Sequence, residues 1–129
     1  MNNLWYCEKV QRGTPEFPLE LYVIDSTHPK YKMQAHWHKE FEIVRVTKGA
    51  LELKFNENTI TLCENQSVFI PGGIIHSATP TGCSYECLVF SPSILYNIQV
   101  CRSLIKTYMQ RIVLYQNDSD IDFIFDEMK

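Results

Sequence analysis

The chain has 129 residues, of which 45% are apolar and 21% charged. That is one domain with a core of its own; it excludes wholesale disorder and leaves no room for a sensor half joined to a complete helix-turn-helix half. Fifteen acidic against twelve basic residues give a net charge of −3, which speaks against a nucleic-acid-binding surface, since that needs clustered Lys and Arg to displace counterions.

Residues 18–24 (PLELYVI) read as a strand closed by the polar stretch 25–29. Residues 41–47 (FEIVRVT) are β-branched and aromatic, and Gly49 follows as a break. Leu51, Leu53 and Phe55 alternate with charged neighbours, and Ile60 and Leu62 alternate again across an Asn-rich loop at 56–58, which is a hairpin signal. Residues 67–70 form a short strand stopped by Pro71-Gly72-Gly73. A further strand is expected over 74–78, a turn over 79–84, and a last strand over 85–90. Short strands at this spacing predict a mainly β barrel or sandwich.

Beyond Ser91-Pro92-Ser93 the period lengthens, and Ile94, Ile98, Cys101, Ile105, Tyr108 and Ile112 share a helical stripe. Residues 112–115 (IVLY) are strand-like instead, so one helix and a helix plus a strand both stay open. A final helix, capped by Asp118 or Ser119, places Ile121, Ile124, Phe125 and Met128 on one face. Its stripe reaches the last residue without a C-cap signal, as in a partner surface or a piece of a longer protein.

The chemistry concentrates in His36-Trp37-His38-Lys39-Glu40-Phe41-Glu42. Histidines two apart on a strand share a face and can hold one metal ion through neutral imidazoles. Glu42 has the same parity, but a straight strand would carry it about 13 Å past His38. A metal centre therefore requires a bend there, and Glu40 is the rival ligand. His76, after Pro71-Gly72-Gly73, can swing back against the first pair. Three His and a carboxylate suit zinc, nickel, iron or manganese; a polar cluster hydrogen-bonded to itself and to water is the other reading. His28 lies in a polar loop and reads as surface.

His36, His38, Glu42 and Gly49 fit the first cupin motif, G-x5-H-x-H-x3,4-E-x6-G, apart from its leading glycine, which is Lys30 here. Pro71, Gly73 and His76 fit the second, G-x5-P-x-G-x2-H-x3-N, whose two ends are Asn65 and Pro80. The chain thus resembles cupins, double-stranded β-helix barrels of jelly-roll type, and the resemblance selects Glu42 over Glu40 as fourth ligand. The wording H-W-H-K-E-F-E-I-V-R-V-T-K-G, then F-I-P-G-G-I-I-H-S, then Y-E-C-L-V-F-S-P-S, is similar to the amino-terminal sensor domain of AraC-type transcription regulators over residues 15–96.

That resemblance implies an arm at 1–17, carrying Trp5, Tyr6 and Phe17 over the barrel mouth. It implies a cupin barrel at 18–92 and a helical dimerisation or connecting segment at 93–129. It also implies a small effector such as a sugar, a homodimer joined along the Ile94–Ile112 stripe with Ile121, Phe125 and Met128, and DNA contact only through a carboxy-terminal domain outside these residues. His36, His38, Glu42, His76, Tyr22 and Tyr85 are the expected ligand-lining residues. The complete His36, His38, Glu42 and His76 set keeps a metal-dependent cupin enzyme, a dioxygenase or isomerase, as the alternative; no dedicated acid, base or nucleophile is otherwise legible.

No run of eighteen apolar residues and no signal-peptide pattern occurs, so neither a membrane span nor export is expected. The five cysteines, Cys7, Cys63, Cys83, Cys87 and Cys101, are odd in number and irregularly spaced, and read as reduced thiols of a cytoplasmic protein.

Overall fold

Two long strands carry the architecture of the computed structural model, which describes residues 6–55, 58–95 and 111–128. In chain order the elements are β1 (Tyr6–Cys7), β2 (Leu19–Ile24), β3 (Met33–Trp37), β4 (Phe41–Phe55), β5 (Asn58–Cys63), β6 (Gln66–Ile70), β7 (His76–Phe90), a 3-10 turn at Pro92–Leu95, β8 (Val113–Gln116) and helix α1 (Ser119–Glu127). They form one sheet in the order β1-β3-β7-β4-β6-β8, with β2 also on β7 and β5 also on β4. The result is the mainly β barrel that the motifs imply.

The antiparallel pair β4 and β7 runs from Phe41↔Phe90 to Phe55↔His76. Its register slips between Val46 and Ala50, where each strand bends instead of ending. Gly49 has φ +75° and Gly82 φ +49°. A Cβ on Gly49 would lie 2.1 Å from the Gly82 carbonyl oxygen, so the close crossing requires glycine there. This corrects the breaks expected after residue 47 and over 79–84: the turn-forming residues mark a bulged bend, and residues 74–90 hold one strand beginning at His76.

β4 is buried on both faces from Phe41 to Val46. Val44 and Val46 enter the barrel interior with Ile24, Leu51, Leu53, Phe55, Leu62, Val68, Ile70 and Tyr85. Phe41 and Ile43 lie on the other face with Phe69, Leu88, Phe90 and the α1 residues Ile121 and Phe125. Asp118 caps α1, its carboxylate accepting from the Asp120 and Ile121 amides at 2.9 and 3.0 Å. Arg45 ties α1 down: its guanidinium bonds Glu86 at 2.5 and 3.0 Å and Asp122 at 2.9 Å, and stands 4.7 Å from the centre of the Phe125 ring.

Of the two readings left open beyond residue 93, the one that includes a strand holds over the described residues. Residues 113–116 form β8, paired with β6 from Gln66↔Gln116 to Phe69↔Val113. Ile121 and Phe125 are buried against the barrel, with Met128 half-buried beside them, so the first two do not supply an open partner surface. The Ile94–Ile112 stripe falls largely on residues 96–110, outside the described residues.

Candidate functional site

β3 ends at Trp37 and β4 starts at Phe41, so the chain turns over Lys39 and Glu40. This is the bend that spacing demanded of Glu42. Two neighbours hold it. The Gly73 amide donates to the His38 carbonyl at 2.8 Å, and a Cβ on Gly72 would lie 2.2 Å from the Lys39 carbonyl oxygen. The Pro-Gly-Gly loop thus packs onto the corner and delivers His76 opposite His36 in the ladder.

The outcome is a buried cluster of His36, His38, Glu42 and His76, none more than 5% exposed. His36 and His76 have ring centres 4.4 Å apart, and His38 lies 5.4 and 5.3 Å from them. Each of the three rings has a nitrogen within 4.8 Å of those of the others, the spacing a shared ion needs. Glu42 joins through an oxygen 3.0 Å from His38 Nε2 and 3.4 Å from His76 Nε2. Glu40 lines a different cavity, with Trp37 and Lys39.

Backbone carbonyls orient the rings. The Nδ1 atoms of His36, His38 and His76 lie 2.7, 3.0 and 2.9 Å from the carbonyl oxygens of Gln34, Glu40 and Ile74. A carbonyl only accepts, so each Nδ1 donates and each neutral ring presents its Nε2 lone pair. Among the described residues His76 Nε2 is buried without a hydrogen-bond partner; its 3.4 Å approach to Glu42 is an electrostatic contact without bonding geometry.

Positive charge is therefore needed between these rings and the carboxylate, either as protons on Nε2 or as a metal ion. The charge balance agrees. Burial alone would raise the Glu42 carboxyl, but His38 and His76 outweigh it and hold it well below the usual carboxylate range. Burial would lower His76, but Glu42 outweighs that and raises it. His36 is lowered to about 4, first by burial and then by the charge of His76.

The cluster opens into a cavity of about 300 Å³. Its wall comes from the barrel (Tyr22, Ile24, Met33, Gln34, Cys87, Val89), from the loop before β3 (Lys30, Lys32) and from the amino-terminal segment (Tyr6, Glu8, Arg12). β1 adds in parallel to β3, and Tyr6 stacks on His36 with ring centres 5.6 Å apart. Arg12 reaches across, donating to the Tyr22 hydroxyl at 2.6 Å and to the Glu8 carboxylate.

His36, His38, Glu42 and Tyr22 therefore line one cavity, and His76 joins them through the cluster. Tyr85 does not line it. It is 0% exposed, and its hydroxyl donates to the carbonyls of Lys30 at 3.1 Å and Tyr31 at 2.8 Å. Burial pushes its phenol upward. Tyr85 is a core strut under the loop that carries Lys30, not a lining residue. Sequence reasoning missed Glu8, Arg12, Lys30 and Lys32 as individual lining residues; they sit in irregular polar segments, where no period marks an inward face. Of the arm aromatics, Trp5 lies outside the described residues and Phe17 is 54% exposed.

Residues 18–128 match the family model of the AraC-like ligand binding domain. The uncharacterized HTH-type transcriptional regulator YdeC of Bacillus subtilis (strain 168) is 30% identical over 107 residues, covering 79% of this chain and 36% of that protein. The chain thus spans little more than a third of that relative. Unsaturated fatty acid bound wild-type ToxT from Vibrio cholerae strain SCE256 superposes with a TM-score of 0.55 at 13% identity, over 87% of this chain and 45% of that one. At that identity the likeness is one of fold. A cupin-2 domain containing protein from Shewanella frigidimarina gives 0.47 at 19% identity, over 64% and 78%.

Proposed function

Because the chain belongs to the AraC-like ligand-binding domain family, we propose that the cavity beneath the amino-terminal segment is the effector site of a transcription regulator. The observation that carries this reading is the cavity itself, about 300 Å³, small-molecule in scale and lined by charged and polar side chains beside apolar ones. A small polar molecule such as a carbohydrate suits it: His36, His38 and Glu42 bond hydroxyls, and the Tyr22 and Tyr6 rings offer apolar faces.

Residues 6–12 form part of the wall, so an effector has different contacts when this segment is docked and when it is not. That difference in affinity is what permits a shift between two states. DNA contact belongs, in this reading, to a part of a longer protein outside these residues, and self-association would supply the symmetry of a paired site. Among the described residues no helix is long and apolar enough to cross a membrane.

The histidine cluster fits a first-row divalent ion, zinc, nickel, iron or manganese, held by His36, His38, His76 and Glu42. The supporting observation is the unbonded, buried Nε2 of His76 beside two further rings locked in the same tautomer. What such an ion supplies is Lewis acidity in the cavity wall. The same trio is the observation that would favour a cupin dioxygenase or isomerase; stoichiometric iron or manganese together with turnover of a small acid or sugar would decide for the enzyme.

The test of the effector reading is a thermal-shift and NMR screen of carbohydrates, organic acids and other small polar molecules. An effector moves the Met33 methyl resonance and loses affinity in Met33→Trp, which fills the cavity. A screen without cavity binders, or hits indifferent to Met33→Trp, refutes the reading.

A further inference from the structure

We propose that the arm side of this cavity is an anion subsite built by Arg12 with Lys30 and Lys32, so that the effector carries a carboxylate or phosphate group. The inference rests on the reading of the cavity as the effector site and adds the chemistry of the ligand.

Arg12 is the anomaly that leads there. Between Lys9 and Phe17 it is the one buried residue, while its apolar neighbours Val10 and Phe17 stay 45% and 54% exposed. A segment that buries an arginine and exposes valine and phenylalanine is not arranged for packing. Two of the three guanidinium nitrogens are engaged, one by the Tyr22 hydroxyl and one by Glu8. Among the described residues Nε is buried with no partner, so one donor of the group lacks an acceptor; the side chain borders this cavity and the neighbouring one beside Trp37 and Lys39.

Charge decides which acceptor fits. Among the described residues Glu8 is the one carboxylate bonded to this group, and it is shared: its other oxygen lies 3.4 Å from Lys30 Nζ. Lys30 and Arg12 flank the Tyr22 ring, at 5.5 and 5.7 Å from its centre. Lys32 lines the same cavity. Two cations on one carboxylate, with a third nearby, leave a positive surplus on the arm side of the cavity. A neutral hydroxyl would satisfy the donor and leave the surplus; an oxyanion satisfies both, and the planar guanidinium fork matches carboxylate and phosphate geometry. Tyr85, by fixing the Lys30 and Tyr31 carbonyls, holds the lysine-bearing loop in place.

The experiment follows the Arg12 Nε–H cross-peak of the ¹⁵N-labelled chain during titration with sodium acetate and with sodium phosphate, at constant ionic strength balanced by sodium chloride. The expected result is saturable movement with acetate or phosphate and none with chloride; whichever binds more tightly identifies the group. Lys30→Gln with Lys32→Gln, both exposed positions that do not challenge folding, should weaken that anion roughly tenfold, and Arg12→Met should abolish its binding. An unmoved Arg12 peak at tens of millimolar of both anions, or unchanged affinity in the lysine variant, overturns the proposal. D-glucose, titrated in parallel and read at the Met33 methyl, separates the two ideas: a glucose response without an anion response leaves the effector cavity standing and removes the anion subsite.

Discussion

Replacing Arg45 with methionine tests how the helix is held on the barrel. Arg45 grips the buried Glu86 through two nitrogens at 2.5 and 3.0 Å. It reaches Asp122 at 2.9 Å and Asp126 at 3.6 Å, whose side chains are 45% and 67% exposed. These contacts are not equal. Removing one partner of a buried ion pair costs about 3 kcal/mol, because the remaining charge loses that partner's attraction in a dry environment. The exposed pairs contribute at most about 1 kcal/mol, being screened by water.

Arg45→Met should therefore destabilise by about 3 kcal/mol, and Asp122→Asn by less than about 1. With a slope of about 1.5 kcal/mol per molar urea for a domain of this size, the first lowers the unfolding midpoint by about 2 M and the second by less than about 0.7 M. The double variant Arg45→Met with Glu86→Met should recover part of the loss, since the carboxylate that Arg45 neutralises is removed with it. Urea titration followed by circular dichroism reads all three. Asp122→Asn costing as much as Arg45→Met, or Arg45→Met costing under about 1 kcal/mol, would refute the assignment of the grip to the buried pair.

Three other expectations concern the site and its supports. His38→Ala combined with His76→Ala should abolish metal uptake in protein purified without an affinity tag while leaving the β-type circular dichroism unchanged; full occupancy in the double variant defeats the ligand set. Gly72→Ala should cost about 2 kcal/mol, because its Cβ would meet the Lys39 carbonyl at 2.2 Å. Gly73→Ala, with φ +82° but open space around it, should cost about 1 kcal/mol; equal costs in urea titration would show that the packing of the loop on the corner is not the constraint. Burial pushes the Cys83 and Cys87 thiols up, so each has less thiolate than an ordinary cysteine at a given pH. Alkylation read by peptide mass spectrometry should label exposed Cys63 at pH 8 and reach Cys83 and Cys87 only as pH rises further; equal labelling of all three at pH 8 contradicts that burial.

Much of this protein was legible in one dimension. Alternation marked the β4–β5 hairpin, because a strand with one wet face shows period two, while β2 and β6 were marked by the polar and Pro-Gly stretches that bound them. The histidine spacing marked His36 and His38 as facing together, and the Pro-Gly-Gly loop marked a turn able to return His76. The motif match selected Glu42 where parity left Glu40 equal. Asp118 was a candidate cap before its carboxylate was seen to accept two amides.

Three-dimensional contacts decided the rest. Gly49 and Gly82 read as strand ends along the chain, but their value lies in passing within van der Waals distance of each other, which no local pattern encodes. Tyr85 looked like a lining residue on its strand, and only its hydroxyl on the Lys30 and Tyr31 carbonyls makes it a strut. Residues 113–116 became a strand because β6 had an open edge to pair with. Arg12, in a segment without period, was drawn inward by Glu8 and Tyr22. The sequence by itself determined what has a local cause, namely periodicity, turn chemistry and ligand spacing. The tertiary structure alone decided what depends on distant partners, because burial, counter-charge and ladder edges exist only once the chain has closed on itself.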